Sequence, residues 1–176
     1  DNENRAPRQS GGARPPQPQS QAWALRIATV AGIPIRLHFT FLLFLVYLAL
    51  SAHESTRVLR LVLLVILFLC VALHELGHSI VAIKFGIPVA DITLYPIGGI
   101  ARIEKRPTAW QELWIAIAGP MVNVVIAGAL FITVAATGGP ITAEMLKTGG
   151  GGWRGFAEGI AGANLLLVLF NMIPAF

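Results

Sequence analysis

The stretch LRLVLLVILFLCVALHELGHSIVAIKF, residues 59–85, decides how this chain has to be read. From Leu61 to Leu73 it carries no charge, and then His74, Glu75, His78 and Lys84 follow in quick succession. About 20 largely apolar residues are what an α-helix needs to cross a ~30 Å hydrocarbon core. Ionisable side chains at that depth are costly, so each asks for a functional reason. On a helix His74 and His78 stand one turn apart on one face, where two imidazole nitrogens can meet at a single ion, and Glu75 lies beside them. His-Glu-x-x-His is the pattern in which zinc acidifies a water molecule and the glutamate takes its proton. By chance it occurs in about one window in 8,000, but three ionisable groups on adjacent turns of a membrane span would be strongly disfavoured without a ligand.

Outward from this segment the rest of the chain keeps the same character. Of its 176 residues 55% are hydrophobic and 12% charged, half the charged share of an ordinary soluble domain at about 25%. A first span is expected from Ile33 to Ala52, a third from Leu113 to Ala136, and a fourth apolar stretch from Gly159 to Phe176. Between Gly86 and Glu112, Pro88, Pro96 and Gly98-Gly99 break any helix, and the Gly-Gly pair between short β-branched runs reads as a hairpin turn. Thr148 to Gly155 reads as a Gly-rich loop. The expected fold is an all-α polytopic membrane protein with about four hydrophobic helical segments and a short membrane-associated β-hairpin between the second and third. Residues 1–25, rich in Pro, Gln and Arg, are expected to form a disordered cytoplasmic tail, and residues 26–176 the transmembrane core.

The net charge of +4 does not point to nucleic acid, because the basic residues flank apolar segments instead of forming a patch with interleaved aromatics. Arg5, Arg8, Arg14, Arg26 and Arg36 precede the first span, and Lys84, Arg102, Lys105 and Arg106 lie between the second and third. Only Arg57, Arg60, Lys147 and Arg154 fall in the other connections, so the positive-inside rule puts the amino terminus in the cytoplasm. The lone Cys70 excludes a disulfide framework and a Cys-based cluster within this chain. A metal transporter is disfavoured because no acidic or histidine path crosses the other spans. His38, near an interface, reads as an anchor and not as a metal ligand.

Four motifs in order, Gly32-Ile-Pro-Ile-Arg-Leu-His38, His74-Glu-Leu-Gly-His78, Gly119-Pro-Met-Val-Asn123 and Asn171-Met-Ile-Pro174, resemble those of the site-2 protease family of intramembrane zinc metalloproteases, of the prokaryotic type. The resemblance covers about Ile33 to Phe176 and implies Zn2+ held by His74 and His78, with Glu75 as the catalytic base. It implies that Asn123 and Asn171 hold substrate or support an oxyanion; ordinary interhelical hydrogen bonding is the equal alternative. It further implies that a substrate segment pairs, in extended form, with a strand at Ile92, Thr93, Leu94 and Tyr95. In that family Asn-x-x-Pro leads into a Pro-x-Asp-Gly motif whose aspartate is the third zinc ligand. The sequence stops at Phe176, so a fragment with impaired hydrolysis is expected.

The function expected is therefore hydrolysis of peptide bonds in transmembrane protein substrates, within the lipid bilayer of a prokaryotic cell, under a regulatory domain or partner outside residues 1–176. The competing expectation is a non-catalytic scaffold, an inactive homologue that binds single-span membrane proteins through the same groove.

Overall fold

The computed structural model describes residues 23–51, 54–137 and 153–172, with the backbone alone at 54–56. Two strands open it, β1 (Ala24–Val30) and β2 (Ile33–His38), followed by helices α1 (Phe39–Ser51) and α2 (Glu54–Lys84). A second pair of strands, β3 (Val89–Tyr95) and β4 (Gly98–Ile103), precedes α3 (Ala109–Ala136) and α4 (Trp153–Met172).

The first span expected at Ile33–Ala52 is corrected here, since its opening residues are β2. Ile33, Ile35 and Leu37 alternate with Pro34, Arg36 and His38, and the alternation of period two turns Ile33 and Ile35 into the core. Ala31 and Gly32, with φ of 50° and 81°, make the two-residue turn back to β1. What remains as helix is α1, 13 residues long. At ~1.5 Å per residue it reaches about 20 Å, short of a ~30 Å core. Among the described residues three other helices are long and apolar enough to cross a membrane: Arg57–Lys84, Ala109–Ala136 and Trp153–Met172. Leu59, Val65, Leu69, Val125, Ile132 and Leu169 on them are exposed, as on lipid-facing helices.

The expectation of an all-α protein with one short hairpin is likewise corrected: among the described residues four helices stand with one four-stranded sheet, ordered β1-β2-β3-β4. Pairing is antiparallel for β1/β2 and β3/β4 and parallel for β2/β3, so α1 and α2 form the crossover between the parallel strands. The turn between β3 and β4 is Pro96-Ile97, two residues earlier than the Gly98-Gly99 pair, which instead opens β4. Lying inside the sheet, β3 is buried on both faces; its Asp91, 1% exposed, accepts from Arg102 Nε at 2.9 Å and lies 3.3 Å from Arg36 Nε. That contact with Asp91 holds the Arg102 guanidinium above its ordinary pKa.

The sheet packs on the middle of α2. Ile33, Ile35, Ile92 and Leu94 close on Val71, Ala72 and Leu76, which fixes the sheet against the two turns that carry His74, Glu75 and His78. On the other side of α2, Gly77 lets α3 approach: a Cβ there would stand 2.8 Å from Val122 and 2.9 Å from the Ala118 carbonyl. Helix α4 returns beside α3, where Arg154 Nη2 donates to the Val134 carbonyl at 3.1 Å. Because β1 begins at Ala24 and α4 at Trp153, both intrude on stretches expected to be tail and loop. Residues 1–22 and 138–152 lie outside the described residues.

Candidate metal and catalytic centre

His74 and His78 do share one face of α2, and their Nε2 atoms meet at 3.0 Å with the rings edge to face. His78 Nδ1 donates to the Ile115 carbonyl of α3 at 2.5 Å, which places its proton on Nδ1 and leaves the Nε2 lone pair free. A carbonyl partner on the far ring nitrogen is what orients a metal-ligating histidine. Gly119 of α3 faces the same point. A Cβ at that position would run into His78 and would stand 2.7 Å from His74 Nε2. Two converging nitrogens above a missing side chain fit a metal ion. Among the described residues no third His, Cys, Asp or Glu joins the pair.

Glu75 points the other way around the helix, toward β4. The Ala101 amide is within hydrogen-bonding reach of its carboxylate, and a Cβ on Gly99 would collide with its side chain. So the sheet and α3 each bring a glycine to the same two turns, one leaving room for Glu75 and the other for the histidine pair. The depth follows from helix geometry: Ile115 lies six residues into α3 and Gly119 ten, or about 9 and 15 Å from its start.

His74 and Glu75 open onto a cavity of about 580 Å³ that also meets Gly98 and Gly99 of β4, Phe44 of α1 and Asn171 of α4. Its walls beyond the centre are apolar, from Leu64 to Val71 on α2 and at Leu167 and Phe170 on α4. Asn171 is exposed there, with Nδ2 donating to Leu167 O at 2.8 Å. Asn123 is not. It is completely buried in α3, and both its polar atoms lack hydrogen-bond partners. Asn123, expected to hold substrate or support an oxyanion, or else to bond between helices, does not line the cavity. Both amides interact with the His74 ring, yet neither satisfies its Nδ1, which is buried without a partner.

The strand expected to receive substrate is corrected as well. Ile92, Thr93 and Leu94 are paired with β2 on one side and β4 on the other, and Tyr95 pairs with Gly98. The free edges of the sheet belong to β1 and β4, and β4 is the one beside Glu75. His38 stacks on Tyr95 with ring centroids 4.6 Å apart, a packing role. Sequence reasoning missed the Ile115 carbonyl and the Ala101 amide, since a backbone group leaves no mark in residue identity. The Gly in Gly119-Pro120 was visible, but only the distances show that it faces the histidine pair.

The sequence model for Peptidase family M50 matches residues 62–150. A zinc metalloprotease of Methanocaldococcus jannaschii is 38% identical over 88% of this chain and 42% of its own length. A relative from Synechocystis is 34% identical over 85% of this chain and 40% of its own. The solved structure of a site-2 protease from Methanocaldococcus jannaschii superposes with a TM-score of 0.65 at 37% identity, covering 88% of this chain and 66% of that one. The chain thus spans about two fifths of the curated relatives it matches over most of its length.

Proposed function

Since the chain belongs to peptidase family M50, the site-2 proteases, we propose that it carries the metal-dependent core of an intramembrane zinc metalloendopeptidase acting on transmembrane protein substrates. The observation that carries this reading is the pair of Nε2 atoms meeting at 3.0 Å beside a carboxylate that opens on the same cavity.

His74 and His78 would hold the ion through Nε2, and His78 is already oriented for it by the Ile115 carbonyl. Zinc, when bound, supplies Lewis acidity toward a peptide carbonyl and toward water. Glu75 takes the proton of the attacking water on its carboxylate and returns it to the leaving amine nitrogen. The Ala101 amide keeps that carboxylate aimed into the cavity, and Gly99 keeps the adjacent strand clear of it. Asn171, on the cavity wall, would donate to the substrate carbonyl as charge develops; its exposure to the cavity supports this role.

A helical substrate hides its carbonyls, so cleavage requires an extended segment. The free edge of β4 supplies the template, with strand addition setting the segment alongside Glu75. The apolar walls of the cavity suit a segment that enters from lipid. Trp110 and Trp114, exposed at the start of α3 just after Lys105 and Arg106, support a membrane boundary there. With the distribution of Lys and Arg this favours a cytoplasmic face for the sheet and the amino terminus, in a prokaryotic cell membrane. A regulatory domain or partner would act from outside residues 1–176.

The test is Glu75→Gln in the longest chain that carries residues 1–176, reconstituted with a single-span substrate. Zinc content should be retained while cleavage falls by about 10²-fold or more. Cleavage near the parent rate would remove Glu75 from the chemistry.

A further inference from the structure

Among the buried polar atoms without partners are four, on His74, Asn123 and Asn164, whose chemistry matches as two donor and acceptor pairs. Nδ1 of His74 is one; Nδ2 and Oδ1 of Asn123 are two more; Oδ1 of Asn164 is the fourth. Asn123 and Asn164 are both completely buried, on α3 and α4, and His74 is 3% exposed. Buried amides without partners are rare, because each unsatisfied group keeps its full desolvation cost. In a membrane span no bulk water relieves it.

Counting along the helices from two contacts puts the three side chains within about one turn of each other in depth. Arg154 Nη2 on the Val134 carbonyl fixes the alignment of the antiparallel α3 and α4. Ten residues further along α4 is Asn164, and ten residues back along α3 is Val124, the neighbour of Asn123. Asn164 Nδ2 is already committed, to Cys70 Sγ at 3.4 Å and the Ile160 carbonyl at 2.8 Å, so only its Oδ1 remains to accept. Cys70 stands one turn before His74 on α2. The Asn123 amide in turn interacts with the His74 ring.

We propose that Asn123 is the positioning residue for His74: its Oδ1 accepts from His74 Nδ1–H and its Nδ2 donates to Asn164 Oδ1, each through one buried water, since neither pair is bonded directly. The relay does for His74 what the Ile115 carbonyl does for His78. It fixes the tautomer in which Nε2 is free and ties the ligand on α2 to two other helices. Asn171, exposed to the cavity, is left to the substrate. This inference rests on the metal reading of the His74 and His78 pair.

The experiment measures zinc affinity by chelator competition, and the His74 Nδ1–H resonance of the zinc-loaded protein by ¹⁵N NMR, in detergent or nanodiscs. The parent should show a slowly exchanging, hydrogen-bonded Nδ1–H on His74. Asn123→Leu should weaken zinc by about 10- to 100-fold, the range for losing a partner that orients a ligand, and should lose that resonance. Asn123→Asp, which keeps the acceptor, should restore both. Asn164→Leu should weaken zinc less, and Asn171→Ala should leave the resonance in place. Parent zinc binding with Asn123→Leu unchanged in affinity and resonance overturns the relay alone. Should Asn123→Leu fail to fold, a fast-exchanging His74 Nδ1–H in the parent overturns it equally. A parent that binds no zinc overturns the metal reading first and the relay with it.

Discussion

Replacing Gly119 by alanine isolates the histidine pair from the rest of the fold. Position 119 lies inside α3, where alanine is the better helix former by about 1 kcal/mol, so the backbone has no reason to object. The new methyl, however, would stand 2.7 Å from His74 Nε2 and closer still to His78. Carbon contacts settle near ~3.5 Å, so the rings must retreat by roughly 1 Å. Zinc sites tolerate departures of only about 0.2 Å in ligand distance. A retreat of that size should cost about 100-fold in zinc affinity, or about 2.8 kcal/mol, while the metal-free protein changes its thermal midpoint little. Gly128→Ala serves as the internal control, because nothing lies within 4 Å of a Cβ added there on the same helix. Chelator competition reads the affinity and circular dichroism the melting. Zinc bound by Gly119→Ala as tightly as by Gly128→Ala would refute the reasoning that Gly119 makes room for the metal.

The sheet side of the centre can be probed independently. Gly99→Ala should push Glu75 out of place, so that zinc is retained and cleavage falls by about 10- to 100-fold; equal loss of both would mean that the collision is absorbed by the strand. A cysteine at Ile97, which is 95% exposed at the tip of the hairpin, should cross-link to cysteines near the scissile bond of a bound substrate. Cross-links formed instead along β1 would move the substrate to the other free edge. Asp91→Ala should destabilise the protein by about 3 kcal/mol, the low end for a broken buried pair, because both arginines keep some access to water. An unchanged melting temperature would show that Asp91 does not tie the three strands together.

Much of the centre was legible because its signals are local. A charge-free run ending in His74, Glu75 and His78 carries both the span and the candidate site, and α2, α3 and α4 emerge where hydropathy puts them to within about six residues. The first helix misled because apolar content was read without its period. Ile33, Ile35 and Leu37 alternate as a strand does, and the hydrophobic α1 directly after them hid the change. β1 was missed because its exposed Leu25 and Ile27 sit in a stretch whose start looks like tail. The interior place of β3 could not be read from residue identity, since its pairing with β2 is made across α1 and α2. The same holds for Asn123, where the motif named the residue but only packing reveals that it is sealed from the cavity.

The most direct measurement is the metal content of the protein, purified in detergent without chelators from the longest chain that carries residues 1–176, beside its His74→Ala, His78→Ala and Glu75→Gln variants. The expected result is close to one zinc per chain, lost in both histidine variants and kept in Glu75→Gln, because the histidines hold the ion and the glutamate acts on the substrate side. Negligible zinc in the parent, or zinc indifferent to both histidines, would contradict the metalloprotease account and leave the non-catalytic scaffold as the better reading.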